Sequence, residues 1–298
     1  MKTFLITGST SGLGLEIVKA LVKNPENKVI MAVRNLKRGL KIARDLGSNV
    51  QARQLDLSWL SNIQDFIQNW DTPLDGLINN AGIQFVKGTQ FTPDGYEETI
   101  AVNHLAAFML TIGLKPHLSG KRVLFIGSGT HNPNHCMAKL FGFKGAQYTS
   151  IPDLLKGKST SQDSKQMNLD RYATSKLLNM VSAIELSRRF DAFSSYVLDP
   201  GLMPGTSLAR HQNNFNRFLW KTIMPVMGCF LPDTSSAQRS GKAAAWMMTA
   251  STLPFQSGQI LSYDRKPSRY VDEKMVLNKR IGSQVYEESM KIIDNYLI

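Results

Sequence analysis

The sequence predicts an α/β protein built on a doubly wound parallel sheet of about seven strands, with a helical extension at its C-terminal end. Three observations predict it. Short apolar runs alternate with helical patterns through the first half of the chain, which is the signature of successive βαβ units. A glycine-rich turn follows the first strand. A long amphipathic segment resumes near residue 171, after that alternation has broken off.

Residues 2–7 (KTFLIT) read as a buried strand and 13–23 as the helix after it. Residues 28–33 (KVIMAV) read as the second strand, with a helix near 36–46. A third strand near 50–55 precedes a helix near 59–70, and a fourth, 74–79, leads to a longer helix around 95–112. The fifth strand, 121–127, ends at Ser128. Residues 129–168 are rich in Gly, Ser, Asn and Lys with little periodicity, and read as an irregular insertion. Order resumes over 171–190, where Leu177, Met180, Val181 and Ile184 form an apolar stripe with Tyr172 and Lys176 at its edge. A sixth strand near 194–199 runs into Pro200-Gly201. Residues 202–233 are again irregular, with a short helix expected near 214–222. A helix near 234–249 and a strand near 258–262 complete the sheet, and the tail, 264–298, is an added helical segment clearest over 283–297. No repeat or linker divides the chain, so residues 1–298 read as one domain.

The 298 residues are 42% hydrophobic and 19% charged, which is ordinary for a folded globular chain. A formal net charge of +12 favours something anionic: nucleotide phosphates, a membrane surface or nucleic acid. The charge is scattered and no nucleic-acid module is recognisable, so nucleic acid is not expected as a partner. Cys136 and Cys229 have no paired spacing, which fits a reducing compartment. An apolar run begins almost at Met1 and leaves no room for a signal peptide. The uncharged stretch 222–232 contains Pro225 and falls short of the ~20 residues that span a bilayer. A cytoplasmic protein, with peripheral membrane contact as an added expectation, follows.

Thr7 through Gly14 (TGSTSGLG) lies between the first strand and the first helix. Glycines there allow a tight turn and let the backbone approach a pyrophosphate at the helix N-terminus, the Rossmann-type arrangement. The end of the second strand selects the dinucleotide. An acid there would bond a ribose 2′-hydroxyl, whereas an arginine accommodates a 2′-phosphate. The chain has Arg34-Asn35 there, with Lys37 and Arg38 close behind and no acid before Asp45, which favours NADP(H). Lys37 and Arg38 also suit a merely solvated face. Tyr172 and Lys176, four apart at helical pitch, form a plausible acid/base pair in which the cation lowers the phenol pKa. The motif alone is weak, since Tyr270 and Lys274 repeat it.

The glycine pattern, Asn79-Asn80-Ala81-Gly82, Asn103, Ser128, Tyr172/Lys176 and Pro200-Gly201 together resemble the short-chain dehydrogenase/reductase family over residues 1–262. That resemblance implies a catalytic tetrad of Asn103, Ser128, Tyr172 and Lys176. Ser128 would donate to the substrate oxygen and Tyr172 would give or take the proton. Lys176 would lower the tyrosine pKa and bond the nicotinamide ribose, and Asn103 would anchor a water linking Lys176 to solvent. It also implies a cofactor-binding set. Gly8, Ser9, Thr10, Ser11, Gly12 and Leu13 come from the first turn, with Arg34 for the 2′-phosphate. Asp56, beside Leu57, would contact the adenine amino group, and Asn80, Ala81 and Gly82 would flank the adenosine ribose. Tyr172, Lys176, Pro200, Gly201 and Thr206 complete the set, the last at the nicotinamide carboxamide.

Met31 to Asn35, Gly129 to Pro133, the tail and the 44-residue separation of Ser128 and Tyr172 are similar to the protochlorophyllide reductase and retinol dehydrogenase branch. The light-driven reductases carry a cysteine directly after the Pro-Gly, where this chain has Leu202. An NADP(H)-dependent oxidoreductase acting on a lipophilic carbonyl or alcohol is therefore expected. A protochlorophyllide-type double-bond reductase and a non-enzymatic NADP(H) sensor or membrane scaffold are the alternatives. Phe215, Phe218, Leu219, Trp220 and Ile223, beside Arg210, Arg217 and Lys221, suit a substrate cover, a lipid contact or simple core packing. His131, His135 and Cys136 lack a fourth ligand at suitable spacing, so no metal is expected. A homodimer is compatible with the sequence but nothing in it specifies one.

Overall fold

The computed structural model describes residues 1–203 and 233–297. Its strands are β1 (Lys2–Thr7), β2 (Asn27–Val33), β3 (Val50–Gln54), β4 (Gly76–Asn79), β5 (Lys121–Ile126), β6 (Phe193–Asp199) and β7 (Ile260–Ser262). They form one parallel sheet in the order β3-β2-β1-β4-β5-β6-β7. The order reverses between β1 and β4, which opens a crevice at their C-terminal ends. The inner strands are buried on both faces and so read as continuous apolar runs. Edge strand β3 (VQARQ) instead carries polar residues, as an unpaired edge should.

Alternation along each strand feeds two cores. Leu5, Ile30, Leu77 and Phe125 face one way, against Phe108, Leu177 and Leu178. Phe4, Ile6, Val29 and Leu124 face the other way, against Leu13, Ile17, Ala244 and Met248. The second layer is built by α1 (Gly12–Leu21), α2 (Leu36–Leu46) and α8 (Ala237–Thr249). The first is built by α3 (Leu60–Gln68), α4 (98–113), α7 (Ser164–Arg189) and α10 (Lys279–Ile293). Helix α4 starts at Glu98–Ile100, widens to a π turn over Ala101–Leu105 and returns to α geometry over Ala106–Gly113.

Several boundaries differ from the sequence reading. The helix expected at 171 begins at Ser164, where Asp163 caps it by accepting from the Gln166 N–H at 2.8 Å. Its first turn is polar and largely exposed, so apolar periodicity cannot mark it. The insertion, 129–168, is correspondingly not one loop. It holds a 3-10 turn (Gly129–His131), α5 (Cys136–Leu140) and α6 (Ile151–Leu155), each too short to show a helical period and each started by a side-chain cap from Ser128, His135 or Ser150. The long fourth helix starts at Glu98 rather than near 95, because Glu97 caps it through the Ile100 N–H at 2.8 Å. The tail forms α9 (Glu273–Val276) ahead of α10, which Asn278 caps, so its helix starts earlier than 283. The helix expected near 214–222, the aromatic stripe of 215–223 and Thr206 lie outside the described residues. Among the described residues, no helix is long and apolar enough to cross a membrane.

Candidate active site

The crevice at the switch point is a cavity of about 470 Å³. Its floor is the turn from β1 into α1, and the left-handed backbone of Gly8 (φ 65°) makes that turn. A Cβ on Gly14 would lie 2.4 Å from the Gly8 carbonyl oxygen, so close packing there depends on a bare backbone. Asn80 holds the turn from the β4 side, its Nδ2 donating to the Thr7 and Gly8 carbonyls at 2.9 and 3.0 Å. Ser9 is fully buried and its Oγ has no hydrogen-bond partner among the described residues, while the residue lines the cavity. An orphaned hydroxyl, a glycine cradle and a helix N-terminus fit a dinucleotide pyrophosphate.

Every expected cofactor residue among the described residues lines this one cavity: Gly8, Ser9, Thr10, Ser11, Gly12, Leu13, Arg34, Asp56, Leu57, Asn80, Ala81, Gly82, Tyr172, Lys176, Pro200 and Gly201. Arg38 lines it too and donates from Nη2 to the Thr10 carbonyl at 3.1 Å. The sequence leaves Arg38 open between the cofactor and a solvated face. The available signal was Asn35, whose side chain caps α2 through the Arg38 N–H at 2.9 Å and so fixes that arginine one turn from Arg34.

Of the expected tetrad, Ser128, Tyr172 and Lys176 line the cavity, while Asn103 sits behind it in the π turn of α4. Asn103 accepts from the Ile83 N–H at 2.7 Å and donates to the Ile83 carbonyl and the Ser175 Oγ, each at 2.9 Å. It thereby clasps the loop after β4 to α7. Ser128 lies two residues beyond β5, and its Oγ accepts from both the N–H and the Oγ1 of Thr130, at 3.3 and 3.1 Å. With both lone-pair positions taken, its own proton is left to donate.

Both Tyr172 and Lys176 are buried rather than at a stripe's edge. The Lys176 Nζ donates to the Ile126 carbonyl at 3.1 Å and lies 5.6 Å from the Tyr172 ring centroid. Burial holds the lysine down to about 8. The expected lowering of the phenol by this cation is not found. Burial first, and the Asp199 carboxylate second, push Tyr172 up, because the phenol and the ammonium are desolvated together. Asp199 is itself pushed up to about 6 by burial and by Asp233.

A second cavity of about 160 Å³ adjoins the first, and Ser128, Tyr172, Gly201 and Met203 line both. Met137, Ala138, Phe141, Phe143, Leu169 and Leu202 make it mainly apolar, and His135, Asp199 and Asp233 interrupt that surface. Sequence reasoning did not find these three as a group. His135 was considered only as a metal ligand beside His131 and Cys136; it pairs with Asp233 instead, at 2.6 Å, and Cys136 is exposed.

The family model for short chain dehydrogenases matches residues 2–138. A chloroplastic protochlorophyllide reductase of Pisum sativum is 29% identical, over 97% of this chain and 77% of its own. Among solved structures, a protein of Mycobacterium paratuberculosis aligns at a TM-score of 0.69 and 24% identity, covering 99% of this chain and 94% of its own. The 3-ketoacyl-(acyl-carrier-protein) reductase of Brucella melitensis, solved with NADH, aligns at 0.62 and 18% identity, over 88% of this chain and 96% of its own. In its sheet order, its glycine turn and these matches, the chain is similar to the short-chain dehydrogenases/reductases, a family of oxidoreductases, with the family model itself matching residues 2–138.

Proposed function

We propose that the protein is an NADP(H)-dependent reductase of a carbonyl on a lipophilic substrate, with Tyr172 as the proton donor. The observation that carries this reading is that Ser128 and Tyr172 line both the dinucleotide-shaped cavity and the apolar one beside it. NADPH, when bound, supplies the hydride. The chain supplies the rest. The Ser128 hydroxyl donates to the carbonyl oxygen as negative charge develops there. Tyr172, held protonated by burial, delivers its phenolic proton to that oxygen, a contribution of roughly 10²–10⁴-fold for a positioned acid. Lys176, with a pKa brought near 8, returns a proton to the tyrosine. Arg34 and Arg38 favour the 2′-phosphorylated cofactor. Asp56 and Leu57 take the adenine, Asn80 to Gly82 flank the ribose, and Thr206 takes the carboxamide.

A double-bond reductase is the second reading, favoured by the protochlorophyllide reductases among the relatives. Against it, Leu202 lines the substrate cavity at the position where those enzymes would carry their cysteine. Two measurements test the first reading. Tyr172→Phe should leave NADPH affinity within about twofold and abolish turnover in a screen of retinoids, steroids and quinones; full activity in that variant sinks the assignment. Light-dependent turnover confined to tetrapyrroles would replace it with the second.

A further inference from the structure

The polar side of the second cavity has a defined charge. His135 Nδ1 accepts from the Ala138 N–H at 3.3 Å, so the ring proton sits on Nε2 and is donated to Asp233 Oδ2 at 2.6 Å. The imidazole is then neutral and the pair keeps the negative charge of its carboxylate. Asp199 accepts from the Gly201 N–H at 3.2 Å and the Ser268 Oγ at 3.3 Å. A carboxylate has about four acceptor positions, so both acids keep acceptor capacity beyond these partners. Among the described residues that line this cavity there is no lysine or arginine. The cations nearby are directed elsewhere: Arg239 lies over the Tyr263 ring at 4.8 Å, and Arg269 is outside the lining.

The tail braces this wall from behind, at every second residue of one extended segment. Ser268 donates to Asp199, the Tyr270 ring lies 4.1 Å from the His135 ring, and the Asp272 N–H donates to His131 Nε2 at 3.1 Å. His131 in turn bonds the Ser128 carbonyl through Nδ1 at 2.7 Å. Tyr270, whose spacing to Lys274 imitates the catalytic motif, therefore has a place of its own.

We propose that His135, Asp233 and Asp199 are the specificity-determining wall of the active site. The Asp233 and Asp199 carboxylates, the first held by His135, accept a hydrogen-bond-donating head group, most strongly a protonated amine, from a substrate whose apolar body lies against Met137, Phe141 and Phe143. The segment 268–272 positions that wall. The inference rests on the reductase reading only for which group of the substrate is reduced.

The test uses the full-length protein loaded with NADPH and matched aryl ketones, one carrying a primary amine and the other a methyl group in its place. Binding is read by calorimetry and turnover by NADPH consumption. The amine should bind at least about tenfold more tightly than its neutral partner. Asp233→Asn, which keeps the shape, should bring the two within about threefold. Tyr270→Ala should do the same with NADPH affinity unchanged, and Tyr270→Phe should preserve the preference. A preference absent from the wild type, or intact in Asp233→Asn, overturns the proposal. If Tyr270→Ala also loses NADPH binding through misfolding, the Asp233→Asn comparison decides alone. Amine-selective binding without turnover of either ketone would leave the wall standing and sink the reductase reading. Turnover of both without selectivity would do the reverse.

Discussion

Arg34 and Arg38 look interchangeable as text, a pair of cations one helical turn apart, yet the structure gives them different work. Both line the cofactor cavity, but Arg38 also holds the carbonyl of Thr10 in the glycine turn. On the proposed NADP(H) reading, Arg34→Ala should raise the Kd for NADPH about tenfold or more and leave NADH nearly unchanged, since only a 2′-phosphate contact would be lost. Arg38→Ala should weaken both dinucleotides, because the turn that receives their pyrophosphate loosens with it. Fluorescence titration of each variant with each cofactor separates the two effects, and equal affinity of the wild type for NADPH and NADH would remove the basis for both. Arg34 was legible as a cavity residue because the strand ends open onto the crevice at the switch point. Arg38 was not, because a charge on an exposed helix face reads the same whether it meets solvent or a ligand. The wall of His135, Asp199 and Asp233 was illegible for a different reason. Its members stand up to 98 residues apart in sequence and meet only through the tertiary fold.

At the scale of elements, strands and long helices followed from apolar runs and periodicity, whereas the helix starts that were missed either follow a polar cap into a polar first turn, as in α7 and α10, or belong to helices too short to show a period, as in α5 and α6. The π turn of α4 left no sequence trace either. Its effect is concrete: it carries Asn103, which ties the loop after β4 to the middle of α7. Replacing Asn103 with alanine leaves the Ile83 N–H and carbonyl and the Ser175 hydroxyl short of a partner. The cost should be about 2–3 kcal/mol in urea unfolding, against about 1 kcal/mol for Ser175→Ala. Because Ala81, Gly82 and Ile83 line the cofactor cavity, Asn103→Ala should also weaken NADPH binding. An unchanged midpoint and an unchanged Kd would show that the clasp contributes little.

Across the whole molecule, buried histidines give the fold a definite response to acid. His104 is fully buried, its Nε2 3.1 Å from the Ser289 Oγ of α10, and burial holds its pKa down to about 3; burial also lowers His131. Between 6.5 and 3 the unfolded chain takes up a proton at His104 that the native state refuses, so its contribution to stability is lost as pH falls through that window. Asp199 opposes it below about 6, where the native state binds a proton more readily than the unfolded chain. The clean measurement is therefore a difference. His104→Gln, compared with wild type, should gain about 2 kcal/mol in relative stability between pH 7 and pH 5. A constant difference in thermal midpoint across that range would refute the assignment. The sheet that frames all this was legible from end to end, but what happens at its last edge was not. Beyond β7 the tail folds back, with Pro267 bridged to Leu261, the Ser262 N–H donating to the Lys266 carbonyl and the Ser268 N–H to that of Ile260. That edge is already occupied from within the chain. A second copy could extend the sheet there only by peeling away the stretch that leads into Ser268 and Tyr270, which back the second cavity, so self-association by that route would disturb that cavity's wall.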